Sequence, residues 1–174
     1  MKRNADMPEE QMNMGMFYNV TGEPIAAEKA YRTALKLSPM YVPALLNLAD
    51  LYRASGMDQQ AEPLLHRAIT LAPDEANSNH AMGLLLVRQG KLVEALPYLR
   101  TAAGLALWNV RYSYVYAVAL WETGGKTQAL EVLESTLGRH PGNRELVSAL
   151  ASYYQQLGEE EKLQLLMQQY APMN

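Results

Sequence analysis

Glycine recurs at a spacing of 34 residues along the chain, at Gly22, Gly56, Gly90, Gly124 and Gly158. Seven residues before each stands a small residue: Gly15, Ala49, Gly83, Ala117 and Ala151. Five residues after come Ala27, Ala61, Ala95 and Ala129, then Leu163 in the last unit. Proline closes three of the units, at Pro39, Pro73 and Pro141. With glycine at about 7% of residues, five in one register by chance is on the order of one in a million. A fixed period of this length is the mark of a stacked repeat array. Each unit is too small to hide its apolar side alone, so neighbours must cover one another. Such an array is a binding surface far more often than a catalyst.

Within a unit the pattern reads as two helices joined at the glycine. In the second unit, Pro43 suits the first turn of a helix, where its missing N–H is not needed. Leu45, Leu48, Ala49 and Tyr52 follow at i, i+3, i+4 and i+7, one apolar stripe. Ser55-Gly56 stops that helix, because glycine tolerates a left-handed C-terminal conformation. Asp58 is expected to cap the next helix, whose stripe is Ala61, Leu64, Leu65 and Ala68. Ala72-Pro73 ends it, since the residue before proline is pushed out of helical geometry. Residues 111–116 (RYSYVY) alternate like a strand, but the repeat frame puts them at the start of a first helix.

These columns resemble the tetratricopeptide repeat (TPR) family over residues 8–170, nearly the whole chain. Large residues fill the remaining columns: Tyr18, Tyr52, Leu86, Leu120 and Tyr154 in one, Tyr31, Leu65, Leu99, Leu133 and Met167 in another. The resemblance implies an all-α, right-handed superhelical solenoid of five helix-turn-helix units. They are 8–41, 42–75, 76–109, 110–143 and 144–171, one array over 8–171, with 1–7 a disordered or extraneous lead-in. Three departures stand out. Unit three has Leu107-Trp108-Asn109 in place of its proline, unit four has Thr136 in an alanine column, and unit five has Leu163 and Tyr170 in alanine columns. The last helix is therefore expected to be a loosely packed end cap. Pro63 and Pro97 fall inside second helices, each removing one backbone donor. Met7, Met12, Met14 and Met16 crowd the first helix. They are adaptable packing at an array end, or a contact with an upstream segment or a second copy.

Composition restricts the chemistry. The chain is 49% hydrophobic and 19% charged with net charge -3, an ordinary globular balance and no electrostatic match for nucleic acid. No apolar run approaches the roughly 20 residues of a membrane span. Without cysteine there is no disulfide, thiolate site or CxxCH haem attachment. No cofactor is expected. The compartment stays open: cytoplasmic as the sequence stands, periplasmic for a piece of a secreted protein. His66, His80 and His140 do not pair at metal-ligand spacing. Glu159, Glu160 and Glu161 open a helix, where negative charge suits the dipole, and Glu131 and Glu134 read as surface. Gly124-Gly125-Lys126-Thr127 lacks the first glycine of a phosphate loop, with Ala119 in that place. An enzyme is the least expected reading.

In the TPR family, ligand contacts come from the first helices, at positions two, five, nine, twelve and thirteen of a unit. The resemblance projects Leu46, Asp50 and Arg53 from unit two, with Asn47 beside them. Unit three gives Asn77, His80, Leu84 and Arg88 with Val87. Unit four gives Arg111, Tyr114, Val118 and Trp121 with Glu122. Tyr, Trp and Arg dominate interface energetics, so an extended peptide is expected to lie on Tyr114 and Trp121 and to meet Arg111, Arg88, Asn77 and Asn47. The alternative for Trp121 is packing between neighbouring first helices. For Asp50, Arg53 and His80 it is mutual pairing. The carboxylate clamp of chaperone-binding TPR domains is absent: its places hold Met12, Met16, Asn47, Asn77 and Ala81, or one unit on, Leu46, Asp50, Ala81, Arg111 and Val115. The expected function is a scaffold binding a peptide or partner-protein segment in the concave groove. The alternatives are self-assembly, through the array ends with the Met-rich start, the Leu107-Trp108 junction or the groove, or a regulatory domain of a larger bacterial protein.

Overall fold

The computed structural model of the protein describes residues 7–170. Among them the chain forms ten α-helices: α1 (Pro8–Val20), α2 (Pro24–Leu37), α3 (Val42–Ala54), α4 (Asp58–Leu71), α5 (Ala76–Arg88), α6 (Leu92–Leu105), α7 (Val110–Glu122), α8 (Lys126–Arg139), α9 (Arg144–Leu157) and α10 (Glu160–Tyr170). They make five helix pairs, an all-α solenoid. Apart from Met7, the expected lead-in lies outside the described residues, as does residue 171. The strand-like run 111–116 sits inside α7. Its tyrosines are tolerated in a helix because packing covers them on more than one side, Tyr112 buried and Tyr114 and Tyr116 half-buried, and this packing outweighs weak local propensity.

The five period glycines all adopt positive φ, from +72° to +89°. This is the left-handed turn that joins the helices of each pair, and a Cβ there would be strained. The second helix of unit two is not capped by Asp58, as expected from sequence. Met57 occupies the N-cap position without a side-chain bond, and the Asp58 carboxylate instead binds Arg88. Caps that do form are Glu75, which accepts from Ser78 N, and Asn143, which accepts from Leu146 N. Pro63 and Pro97 lie within continuous helices.

Each helix packs on the next in chain order, and α1 also meets α3, as α3 meets α5. First helices are thus neighbours along one face. The small columns allow close approach. A Cβ on Gly15 would stand 2.4 Å from the Tyr31 ring, and one on Gly83 would stand 2.4 Å from Leu99 Cδ2. Tyr31, Leu65, Leu99 and Leu133 are fully buried, as are Ala27, Ala61, Ala95 and Ala129. Fully burying each such leucine contributes roughly 1.5–3 kcal/mol. Thr136 is also buried, and its hydroxyl donates to Val132 O at 2.7 Å. Its polar atom is therefore satisfied within the helix.

Junctions between units carry their own polar contacts. Tyr52 Oη donates to Glu28 at 2.8 Å and accepts from Arg32 at 2.7 Å. Tyr154 Oη donates to Glu134 at 2.7 Å, so Glu134 is a junction acceptor as well as a surface residue. At the ends cover is lost. Leu166 is the buried residue of α10, in keeping with an end cap, while Met7, Met14 and Met16 are exposed and Met12 packs on the core.

A polar cavity on the first-helix face

The first helices α3, α5 and α7 line an open cavity of about 550 Å³. Leu46, Asn47, Asp50 and Arg53 reach it from α3, Asn77, His80, Ala81 and Leu84 from α5, and Arg111 and Tyr112 from α7. On α3 and α5 the lining residues recur three or four apart, at Leu46/Asn47, Asp50 and Arg53 and at Asn77, His80/Ala81 and Leu84, so each of these helices contributes one stripe. Eight of the expected contact residues therefore come together: Leu46, Asn47, Asp50, Arg53, Asn77, His80, Leu84 and Arg111.

The cavity is built around His80. Its ring stacks on Tyr112, with centroids 4.1 Å apart and planes 25° from parallel. The Tyr112 hydroxyl donates to Asn77 Oδ1, which fixes both side chains across the α5–α7 junction. Only 8% of His80 is exposed, and its Nδ1 is buried without a hydrogen-bond partner. Burial pushes its pKa down from 6.5 to about 4, helped by the positive charges of Arg111 and Arg53. The imidazole is therefore neutral at physiological pH. It offers one donor and one acceptor nitrogen rather than a charge.

Arg53 gives Nη1 to Asp50 Oδ1 at 2.6 Å, while its Nε is buried with no partner. Buried polar atoms without partners are uncommon in folded proteins, and two of them border this one space. Asn47 donates Nδ2 to Pro43 O at 2.8 Å, leaving its carbonyl oxygen to the cavity side chains. Arg111 is exposed, and it makes no salt bridge among the described residues.

The other expected contact residues lie elsewhere. Arg88 turns away to α4. Its Nε donates to Asp58 Oδ2 at 2.8 Å, its Nη2 pairs with Asp58 Oδ1, and its Nη1 donates to Arg53 O at 2.8 Å. This forked pair ties the third unit to the second and occupies most of the guanidinium. Trp121 is 8% exposed and stacks on Tyr153 of α9, with centroids 3.7 Å apart and planes 8° from parallel. Lys126 Nζ stands 5.2 Å from the same ring. Trp121 thus packs between neighbouring first helices, and it is not an open platform for a ligand. Tyr114 is half-buried against the same cluster, and Val118 is half-buried. Tyr112 was not among the expected residues, although it closes the cavity. The available signal was its aromatic ring at the start of a first helix, next to Arg111 in the position-two column.

No group of three or more His, Cys, Asp or Glu side chains suited to a metal ion occurs among the described residues. No helix among them is long and apolar enough to cross a membrane.

Comparison with known proteins agrees with this architecture. Two tetratricopeptide repeat profiles match, one over residues 21–85 and the other over residues 80–144. No curated protein matches the chain in sequence. Among solved structures, the MamA protein superposes with a TM-score of 0.81 at 21% identity, covering 94% of this chain and 89% of that one. YrrB, described as a TPR protein with an unusual peptide-binding site, gives 0.78 at 19% identity, covering 96% and 86%. The pilF protein of Pseudomonas aeruginosa gives 0.80 at 18% identity, covering 96% and 76%.

Proposed function

The chain belongs to the tetratricopeptide repeat family, and from that premise we propose that it is a protein-interaction scaffold holding an extended segment of a partner protein against α3, α5 and α7. The observation that carries this reading is the cavity in which His80 Nδ1 and Arg53 Nε are buried and unpaired. An unpaired buried polar group costs about 1–3 kcal/mol. A bound segment that displaces the side chains covering these atoms would satisfy them with its amides, and the exposed Arg111 is available for a carbonyl or carboxylate. Leu46, Ala81 and Leu84 supply the apolar floor that an alternate side chain needs.

The composition of the cavity favours capture over chemistry. Its imidazole is neutral and its carboxylate, Asp50, is tied to Arg53. A nucleophile and base within hydrogen-bond reach are what acyl or phosphoryl transfer would need, and the cavity lining pairs none. The solved structure of YrrB, described as having a peptide-binding site, lends the reading general support through the shared fold.

Peptide display against the 174-residue chain tests it. Enriched peptides should lose affinity when Arg111→Ala or His80→Ala is introduced, with the circular dichroism spectrum unchanged. Enriched peptides indifferent to both substitutions would place the partner site elsewhere and end this proposal.

A further inference from the structure

The columns of the repeat expose a second surface, at the two ends of the array. Met14 shares its column with Leu48, Met82 and Leu150, which are 3%, 0% and 1% exposed, and with the half-buried Tyr116. Phe17 shares its column with Leu51, Leu85, Ala119 and Tyr153, all buried. Met14 and Phe17 are nevertheless 44% and 63% exposed. The internal residues are covered because each sits in a unit with a preceding helix pair, and α1 has none among the described residues. A terminal unit that meets only water is expected to carry a polar outer face, and these two positions stay apolar.

The opposite end shows the other half of the same junction. Met167 shares its column with Tyr31, Leu65, Leu99 and Leu133, all fully buried, yet it is 52% exposed. With Val147 and Ala151 of α9 and Tyr170 of α10 it borders an open cavity of about 350 Å³. That is the side on which the next first helix would lie.

From this we infer that the chain associates head to tail with a second copy of itself, α1 of one copy seated on the α9–α10 face of another. The occupant is specified by continuity. The junction between consecutive units is already built four times within one chain, and the two ends are its two complementary halves. The polar contacts agree. At two of the four internal junctions a first-helix tyrosine meets second-helix side chains of the unit before: Tyr52 meets Glu28 and Arg32, and Tyr154 meets Glu134. Tyr18 stands in that tyrosine column, and Gln164 and Gln168 stand in the columns of its partners. An amide there can accept or donate to the tyrosine hydroxyl. Such a contact joins two different surfaces, so it extends without closing on itself. It uses neither the cavity nor Arg111, and stands apart from the proposed peptide capture.

Sedimentation velocity over a concentration series reads the outcome directly. The native chain should rise in average mass past the dimer with no plateau. Phe17→Glu disables one end and Met167→Glu the other, so each alone should stay monomeric at the concentrations where the native chain assembles. Their equimolar mixture should stop at the dimer, because each variant keeps one working end. Both side chains are more than half exposed, so the fold should persist, and circular dichroism verifies it. A second route avoids introduced charge. The chain has no cysteine, so a Phe17→Cys, Met167→Cys double variant treated with a short bismaleimide should give a ladder of covalent oligomers. A native chain that remains monomeric throughout overturns the inference. So does a dimer plateau lost in Phe17→Glu alone, which would mean α1 pairing with α1, or assembly untouched by either substitution.

Discussion

Tyr112 lies flat against His80 across the junction of the third and fourth units, and its hydroxyl holds Asn77. The imidazole is consequently shut off from water and kept neutral, its pKa displaced from 6.5 to about 4. The unfolded chain binds a proton there at higher pH than the folded one does. The resulting stability is complete above about pH 6.5 and is lost as pH falls toward 4. The free energy of unfolding should therefore decline across that window with a slope of at most about 1.4 kcal/mol per pH unit from this group, read by chemical denaturation at each pH. His80→Gln should flatten that part of the profile. Carboxylates titrate in the same range, so the difference between native and variant curves is the quantity to compare.

Arg88 and Arg111 were expected to act alike, and the structure separates them. Arg88 is engaged by Asp58 and by Arg53 O, whereas Arg111 makes no salt bridge among the described residues. Arg88→Ala should lower stability by about 1 kcal/mol, the scale of a partly exposed pair in good geometry, and leave peptide capture unchanged. Arg111→Ala should weaken capture by ~1–3 kcal/mol and leave the denaturation midpoint in place. Chemical denaturation and peptide titration on the two variants, side by side, check this.

Trp121 is stacked on Tyr153 and buried. Trp121→Ala should destabilise the chain by about 3–5 kcal/mol, as large aromatic truncations in cores do. Tryptophan fluorescence offers a companion measurement. Iodide should quench the exposed Trp108, which is 76% exposed, and spare Trp121. Equal quenching of both would contradict the packing described above.

The close approaches at Gly15 and Gly83 rank two substitutions. Alanine gains roughly 1 kcal/mol of helix propensity over glycine, and overpacking costs about 1–3 kcal/mol. At Gly83 the obstacle is the end of a leucine, and Ala49 and Ala117 face leucines of the same column in their own units. Gly83→Ala should therefore be close to neutral or mildly destabilising. At Gly15 the obstacle is the rigid ring of the fully buried Tyr31, so Gly15→Ala should cost more. Melting curves of the two variants decide the order.

The architecture was legible in the sequence because it is written in local terms. A left-handed turn needs glycine, and a close crossing needs a small side chain, wherever the unit stands. Even the tyrosines of residues 111–116 yielded to that register. Cavity residues were legible to the extent that one helix face defines them, as with Asn47, Asp50 and His80. Tyr112 was missed because its partner belongs to the neighbouring unit, and a contact between units is not visible in either one alone. Arg88 went astray for a different reason. A long, flexible guanidinium can turn to either side of its helix, and only the position of Asp58 decides which. Trp121 had two readings that sequence left open, and the ring of Tyr153 selects the packed one.

The five left-handed glycines have one further consequence. Consecutive ones bracket an identical length of chain, and each turns the backbone through a similar left-handed φ. A genetic excision or duplication running from one such glycine to the next would rejoin two equivalent hinges, so no new bend has to be invented at the splice. Growth and shrinkage by whole units is then the variation this molecule tolerates best. The reach of its inner surface can change through copy number before a single lining residue mutates.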